Sequence, residues 1–256
     1  MPSPMHAELC RFLEWDSRFF GLNVGRVNPP RLERHEMSKI LDWCRVQQID
    51  CLYLLADSNH DDTTRLANEY GFDFVDIRIT FELSSVAADS PAPSQSSAAI
   101  RPFQSTDLPA LRIMAGRLHQ DTRFFSDPNF PRARSEELYR VWIERSCTNP
   151  RGKVFVAEAQ GKPAAYIACS AAEAESGQIE LIAVEDALQG QGVGRPLVKT
   201  ALNWFAAQRI DHVSVVTQGR NIRAQRLYQK CGFVTQSLQL WYHLWFNRRR
   251  APRPEL

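Results

Sequence analysis

The apolar positions fall in short blocks whose period switches between two and about 3.6, the signature of strands alternating with helices. Up to residue 83 the order reads β-β-α-β-α-β. Residues 22–27 predict a strand. Met37, Ile40, Leu41 and Cys44 stand at i, i+3, i+4 and i+7, one face of a helix. Cys51-Leu-Tyr-Leu-Leu-Ala56 is an unbroken apolar run, as in a strand buried on both faces. Residues 62–70 predict a helix stopped at Gly71, and 72–83 a strand. From residue 100 the pattern resumes with Ile100-Arg-Pro-Phe, a helix opened by Thr106-Asp107, and a second helix over 136–147. Strands follow over 153–159, 164–170 and 178–184, then a glycine-rich loop and a helix to about residue 208. A strand over 213–217, a helix over 222–230 and a long strand over 233–246 close the series. Positions 238, 240, 242, 244 and 246 of the last strand are apolar and share one face.

Between the two runs, residues 84–99 are small, polar and proline-rich, a composition that cannot bury a core. The expected organisation is therefore a small domain over 1–83, a linker over 84–99, a larger domain over 100–247 and a basic tail over 248–256. The two domains rhyme. Arg65-Leu66-Ala-Asn-Glu-Tyr-Gly71-Phe72 matches Arg226-Leu227-Tyr-Gln-Lys-Cys-Gly232-Phe233. The apolar positions 77, 79, 81 and 83 then run in phase with 238, 240, 242 and 244. A structural repeat is expected, with the first copy stripped of chemistry: it has no glycine loop, Ala67 stands for Tyr228, and His60 stands for Asn221.

Composition narrows the function classes. A formal charge of +2 over 256 residues argues against nucleic acid as the main partner. No apolar run approaches the ~18 residues of a membrane span. The first residues carry neither a basic nor an apolar signal region, so a cytoplasmic location is expected. The six cysteines include no C-x-x-C pair, which predicts buried thiols and no metal site.

The chemistry concentrates in Leu181-Ile-Ala-Val-Glu-Asp-Ala-Leu-Gln-Gly-Gln-Gly-Val-Gly-Arg195, where an apolar strand ends, a glycine-rich loop follows and a helix begins. Glycines let backbone N–H groups approach an anion closely, and a helix N-terminus adds partial positive charge. A pyrophosphate suits that geometry. No Gly-Lys-Ser/Thr follows, which excludes the Walker loop. Asn221 and Tyr228 stand about 30 residues further on. Asn221 is also a good helix N-cap, and the residues alone leave Tyr228 open as a core aromatic and Glu180 as a surface carboxylate.

Gln189-x-x-Gly192-x-Gly194, followed in order by Asn221 and Tyr228, resembles the GNAT superfamily of acetyl-CoA-dependent N-acetyltransferases over residues 100–246. The resemblance implies an α/β fold whose mixed sheet splays open, preceded here by a smaller degenerate half-domain. It implies that Ile182, Ala183 and Val184 pair with the pantetheine arm of acetyl-CoA. The pyrophosphate would rest on Gln189, Gly190, Gln191, Gly192, Val193, Gly194 and Arg195, and Asn221 and Ala224 would add later cofactor contacts. Tyr228 would be the general acid toward the leaving thiolate. Glu180 or a water would take the proton of the amine, and a backbone N–H near Val184 would face the oxyanion. Transfer would be direct, with no acyl-enzyme on Cys169 or Cys231.

Glu14-Trp-Asp-Ser-Arg-Phe-Phe-Gly21 and Arg123-Phe-Phe-Ser-Asp127-Pro further resemble segments of bacterial dTDP-4-amino-sugar N-acetyltransferases. That implies a small-molecule acceptor, a dTDP-amino sugar. The residues leave open an aromatic core cluster of Trp15, Phe19 and Phe20, acetylation of another small amine or a protein amino group, and a module that only senses acyl-CoA. A homodimer is expected from a long C-terminal strand at a sheet edge.

Overall fold

The computed structural model describes residues 9–84, 99–171 and 176–246. Most of the expected linker and all of the basic tail lie outside the described residues. The chain divides into two compact units, one of residues 1–78 with 238–256, the other of residues 79–237. This division does not follow the expected domain boundaries. The reason is strand pairing: the end of the last strand belongs with the first unit, and the end of the strand before residue 84 with the second.

The first unit holds β1 (Cys10–Phe12), α1 (Glu14–Phe20), β2 (Val24–Val27), α2 (Met37–Val46), β3 (Cys51–Asp57), α3 (Asp61–Glu69), the start of β4 (Asp73–Ser84) and most of β10 (Val234–Trp245). β1 and β2 are antiparallel, β2 and β3 parallel, and β10 runs antiparallel to β3 from Gln239–Asp57 to Trp245–Cys51. Every residue of β3 from Cys51 to Ala56 is buried, as its apolar run requires. Met37, Ile40 and Cys44 of α2 pack with Leu52, Leu54, Tyr242 and Leu244 into one core.

Two expectations change here. Residues 14–20 form a helix, stopped by Gly21 at φ 69°. Its aromatics are not a core cluster: only Phe20 is buried, while Trp15 stacks on Phe19 at 5.0 Å and stays exposed. The C-terminal strand is not a free edge, because in the strand order β10 lies between β3 and β4, and the basis for expecting a dimer falls away. Along the apolar face of β10, Tyr242 and Leu244 are buried while Leu238 is exposed, and on the other face His243 is fully buried with its ring 4.7 Å from that of Tyr53.

The second unit is a mixed sheet in the order β9 (His212–Gln218), β8 (Ser176–Val184), β7 (Lys162–Ala171), β6 (Gly152–Ala159), β5 (Ala99–Pro102). β8 and β9 are parallel and the other pairs antiparallel. Its helices are α4 (Leu108–Leu118), the short α5 (Arg123–Ser126), α6 (Arg132–Thr148), α7 (Gly194–Ala207) and α8 (Ile222–Lys230). α4 starts later than expected. Ser105–Asp107 forms a 3-10 turn closed by a capping box of Gln104 and Asp107. Arg101 braces Asp107 at 2.7 Å and holds its carboxyl below the usual carboxylate range.

The repeat is visible in matched elements. α3 and α8 each have nine residues, and each is followed by a glycine at positive φ (Gly71 80°, Gly232 91°), a buried phenylalanine and a twelve-residue strand. The N-caps match as well. His60 Nδ1 accepts the Thr63 N–H at 3.2 Å, and Asn221 Oδ1 accepts that of Ala224 at 3.0 Å.

Candidate active site

β8 and β9 pair only from Ser176–His212 to Ile179–Val215. β8 then continues to Val184 along β7 alone, among the described residues. Its register against β7 shifts where Ala168 and Cys169 face Leu181 and Ile179, so Glu180 is an extra residue, a β-bulge. A bulge bends its strand and raises its twist. The two parallel strands therefore part beyond Ile179, and backbone of 180–184 faces a gap in place of a neighbour.

An open groove of about 2090 Å³ runs along this gap. Its wall includes Ile182, Ala183 and Val184, the whole loop from Gln189 to Gly194, Arg195, and Asn221 and Ala224 of the α8 start. Thus all twelve residues expected at the cofactor line one groove. Gly190 and Gly192 both adopt φ 79°, a left-handed conformation that side chains rarely take, with open space where a Cβ would be. Gly194 is needed for a different reason: a Cβ there would lie 3.1 Å from Leu227 Cδ2, so it sets how closely α7 and α8 approach. At the start of α7 Pro196 has no N–H and the Leu197 N–H goes to the Val193 carbonyl, which leaves Gly194 and Arg195 with N–H groups that have no acceptor within the helix. Arg195, Lys199, Arg223, Arg226 and Lys230 add positive charge around it.

Two residues carry structural work beyond the expected contact. Gln189 Nε2 donates to the Val184 carbonyl at 3.0 Å and to Asp186 Oδ1 at 2.8 Å, while its Oε1 accepts from Arg223. Its side chain therefore clamps the loop, and its backbone faces the groove. Asn221 spends its carbonyl oxygen on the α8 cap. Arg117, at the end of α4, ties the same loop down through Glu185 and Asp186.

Tyr228 and Glu180 are not in the groove wall. Tyr228 is 3% exposed, with its ring 6.1 Å from Phe81 and 5.8 Å from Phe233. Burial pushes its phenol up, and the Cys169 and Cys231 thiols push the same way. The Cys169 thiol is raised by burial and then by Glu180, so Cys169 stands within electrostatic reach of Glu180 on one hand and Tyr228 on the other. Glu180 is half-buried and accepts the Ser146 hydroxyl at 2.7 Å.

Sequence reasoning missed two groups beside this site. Ser146, from α6, contacts Glu180 across 34 residues of chain. His119, just past α4, places Nε2 2.7 Å from the buried Tyr166 hydroxyl and stacks on Tyr139 at 5.0 Å. Burial pushes the imidazole down to about 4, so it is neutral at pH 7. Neither contact has a local spacing signal. Among the described residues no cluster of His, Cys, Asp and Glu could hold a metal ion, and no helix is long and apolar enough to cross a membrane.

Residues 119–233 match the model of the acetyltransferase (GNAT) family. This part of the chain is a GNAT acetyltransferase domain. A dTDP-fucosamine acetyltransferase of Escherichia coli O6:H1 is 28% identical over 237 residues, 90% of this chain and 96% of that protein. The spore coat polysaccharide biosynthesis protein SpsD of Bacillus subtilis is 25% identical over 144 residues, 56% of this chain and 50% of that one. Among solved structures, a GCN5-related N-acetyltransferase from Sphaerobacter thermophilus superposes with a TM-score of 0.66 at 13% identity, covering 92% of this chain and 76% of its own. A tandem GNAT protein of the clavulanic acid pathway gives 0.62 at 14%, covering 88% and 76%. At these identities the likenesses show the fold, an α/β GNAT fold with a mixed sheet. The GNAT domain takes its acyl group from acetyl-CoA, and the groove fits that substrate: glycines free of Cβ atoms, open helix amides and clustered cations where a diphosphate needs them.

Proposed function

We propose that this acetyltransferase transfers the acetyl group of acetyl-CoA to the amine of a nucleotide-linked amino sugar of the dTDP class. The observation that carries the acceptor is the reach of the likeness to the dTDP-fucosamine acetyltransferase, which extends over both units and nearly the whole of that protein. The general acetyltransferase fold alone would not select a sugar.

In this reading the diphosphate of acetyl-CoA rests on the amides of 189–195. The pantetheine enters between β8 and β9 and takes the place of the missing strand partner of Ile182 to Val184. That insertion opens the wall toward Tyr228. A neutral amine attacks the thioester carbonyl, and the negative charge on its oxygen meets a backbone N–H of β8. The carbon–sulfur bond breaks as Tyr228 gives its proton to sulfur. Burial raises the phenol, so Tyr228 holds a proton to give as the sulfur leaves, and the phenolate that remains is reprotonated from solvent before the next turnover. Glu180 takes the proton released by the amine. A cytoplasmic location belongs to this reading, and the six free cysteines suit such a reducing compartment.

The test is a panel of dTDP-amino sugars, other small amines and peptide N-termini, each incubated with acetyl-CoA and the purified chain. Thiol release and product mass are recorded. Turnover confined to amino-sugar nucleotides is the expected result. Peptides or simple amines turning over faster would refute the acceptor assignment, and no turnover anywhere would refute the catalytic reading.

A further inference from the structure

Ser146 is a buried hydroxyl near the end of α6, 4% exposed. Its Oγ lies 2.7 Å from Glu180 Oε2 and 3.1 Å from the carbonyl of Trp142, one turn earlier in its own helix. A hydroxyl has one proton, so it donates fully to only one of these acceptors at a time. A serine bonded back to the i−4 carbonyl is a common helix feature without chemistry. What distinguishes Ser146 is the second acceptor, a carboxylate at the bulge where β8 leaves β9.

We propose that Ser146 is a positioning residue that orients Glu180 and follows its protonation. This rests on Glu180 being the base of the proposed reaction. With Glu180 ionised, the hydroxyl donates to Oε2, the shorter of its two contacts, as a charge-assisted bond should be. Oε2 is thereby held on the α6 side, and Oε1 is the oxygen offered to the amine. During transfer the N–H bond of the attacking amine breaks and an Oε1–H bond forms, while the sulfur receives its proton from Tyr228, whose phenolate regains one from solvent. Oε2 then loses its charge and becomes the weaker acceptor. The Ser146 hydroxyl turns to the Trp142 carbonyl, and it returns when Oε1 releases its proton to solvent. In both states the serine proton has an acceptor, so the protonation change leaves no buried donor without a partner.

The experiment is a double-mutant cycle of Ser146→Ala and Glu180→Gln, with acetyl-CoA and the most active acceptor of the panel. Glu180→Gln should lower kcat by about 10²-fold or more. Ser146→Ala should lower it by about tenfold to a hundredfold, the worth of one hydrogen bond to a charged group. In the Glu180→Gln background, Ser146→Ala should change kcat by less than about twofold, because the base it serves is gone. The acetyl-CoA KM and the melting temperature of the single variants show whether the fold and the donor site persist.

A Ser146→Ala loss of equal size in both backgrounds would mean that the hydroxyl only packs α6, and the inference fails while the base stands. Full activity in Glu180→Gln would remove the base itself, a distinct failure that also ends the role of Ser146. A panel without any active acceptor overturns the acetyl-transfer reading and this inference with it.

Discussion

Replacing Tyr228 by phenylalanine tests the acid most cleanly, because it deletes one hydroxyl and keeps the ring. The packing against Phe81 and Phe233, at 6.1 and 5.8 Å, is carbon to carbon and should survive. The fold should therefore lose about 1 kcal/mol or less, the net worth of one hydrogen bond. The catalytic cost is much larger. Without a proton donor the sulfur must leave as an anion, and loss of general acid help of this kind is worth ~10²–10⁴ in rate, about 3–5 kcal/mol. The groove wall contains Leu227 and Ala224 of the same helix and not Tyr228, so acetyl-CoA affinity should hold. Steady-state thiol release at varied acetyl-CoA gives kcat and KM separately. The expected pattern is a collapsed kcat with KM within about twofold. A kcat near the unsubstituted rate would refute the acid role. A raised KM with normal kcat would instead make Tyr228 part of the binding wall. The raised phenol adds a pH statement. Tyr228 stays protonated through neutral pH, so its ionisation should produce no alkaline fall in kcat below about pH 10.

Gly192→Ala forces a side chain into the left-handed region, a strain of about 1–2 kcal/mol, and sets a Cβ where phosphate oxygens approach; the acetyl-CoA KM should rise, and an unchanged KM would contradict the loop assignment. The paired caps separate structure from function. His60→Ala and Asn221→Ala should each cost about 1 kcal/mol in urea unfolding, and only Asn221→Ala should also raise the acetyl-CoA KM. His119 predicts acid sensitivity. Its folded value, about 4, lies below the unfolded value of about 6.5, so the unfolded chain binds the extra proton in between. Stability from this group is complete above pH 6.5 and is lost as pH falls toward 4, by about 3 kcal/mol at most. Unfolding of His119→Gln should fall less steeply across that window than that of the unsubstituted chain; equal slopes would contradict the assignment.

What the sequence disclosed was local. The β8–loop–α7 junction shows because a period of two gives way to glycines and then to a helical period within 15 residues. The helix stops at Gly71 and Gly232 show because a left-handed stop favours glycine. α1 stayed hidden because seven residues hold fewer than two full periods, and its N-cap, Leu13, makes no side-chain bond. Ser146 with Glu180 and His119 with Tyr166 stayed hidden because contacts across 34 and 47 residues leave no spacing behind. The compact units were illegible for a similar reason. Composition marks a linker, but it does not say that a strand will pair with the other copy's partner.

That last point bears on why a copy without a glycine loop or a tyrosine would persist. Where α8 presents Tyr228, α3 presents the fully buried Ala67, and the helix serves only to cover β3. Yet the strand that follows α3 ends in the catalytic unit. Its Phe81, 1% exposed, packs beside the Tyr228 ring. In return β10, which leaves the catalytic unit just past Phe233, completes the first unit against β3. Truncating the chain to its second half would therefore not release a minimal enzyme. It would strip the hydrophobic wall from Tyr228, admit water beside its phenol and leave the end of β10 without a partner. A less invasive change isolates the wall: Phe81→Ala leaves a cavity worth about 3–5 kcal/mol. Hydrated, the phenol should move back toward its ordinary range, so an alkaline fall in kcat should emerge near pH 10 where the unsubstituted enzyme has none. A pH profile unchanged by Phe81→Ala would mean that the first copy's strand supports the fold alone and not the acid.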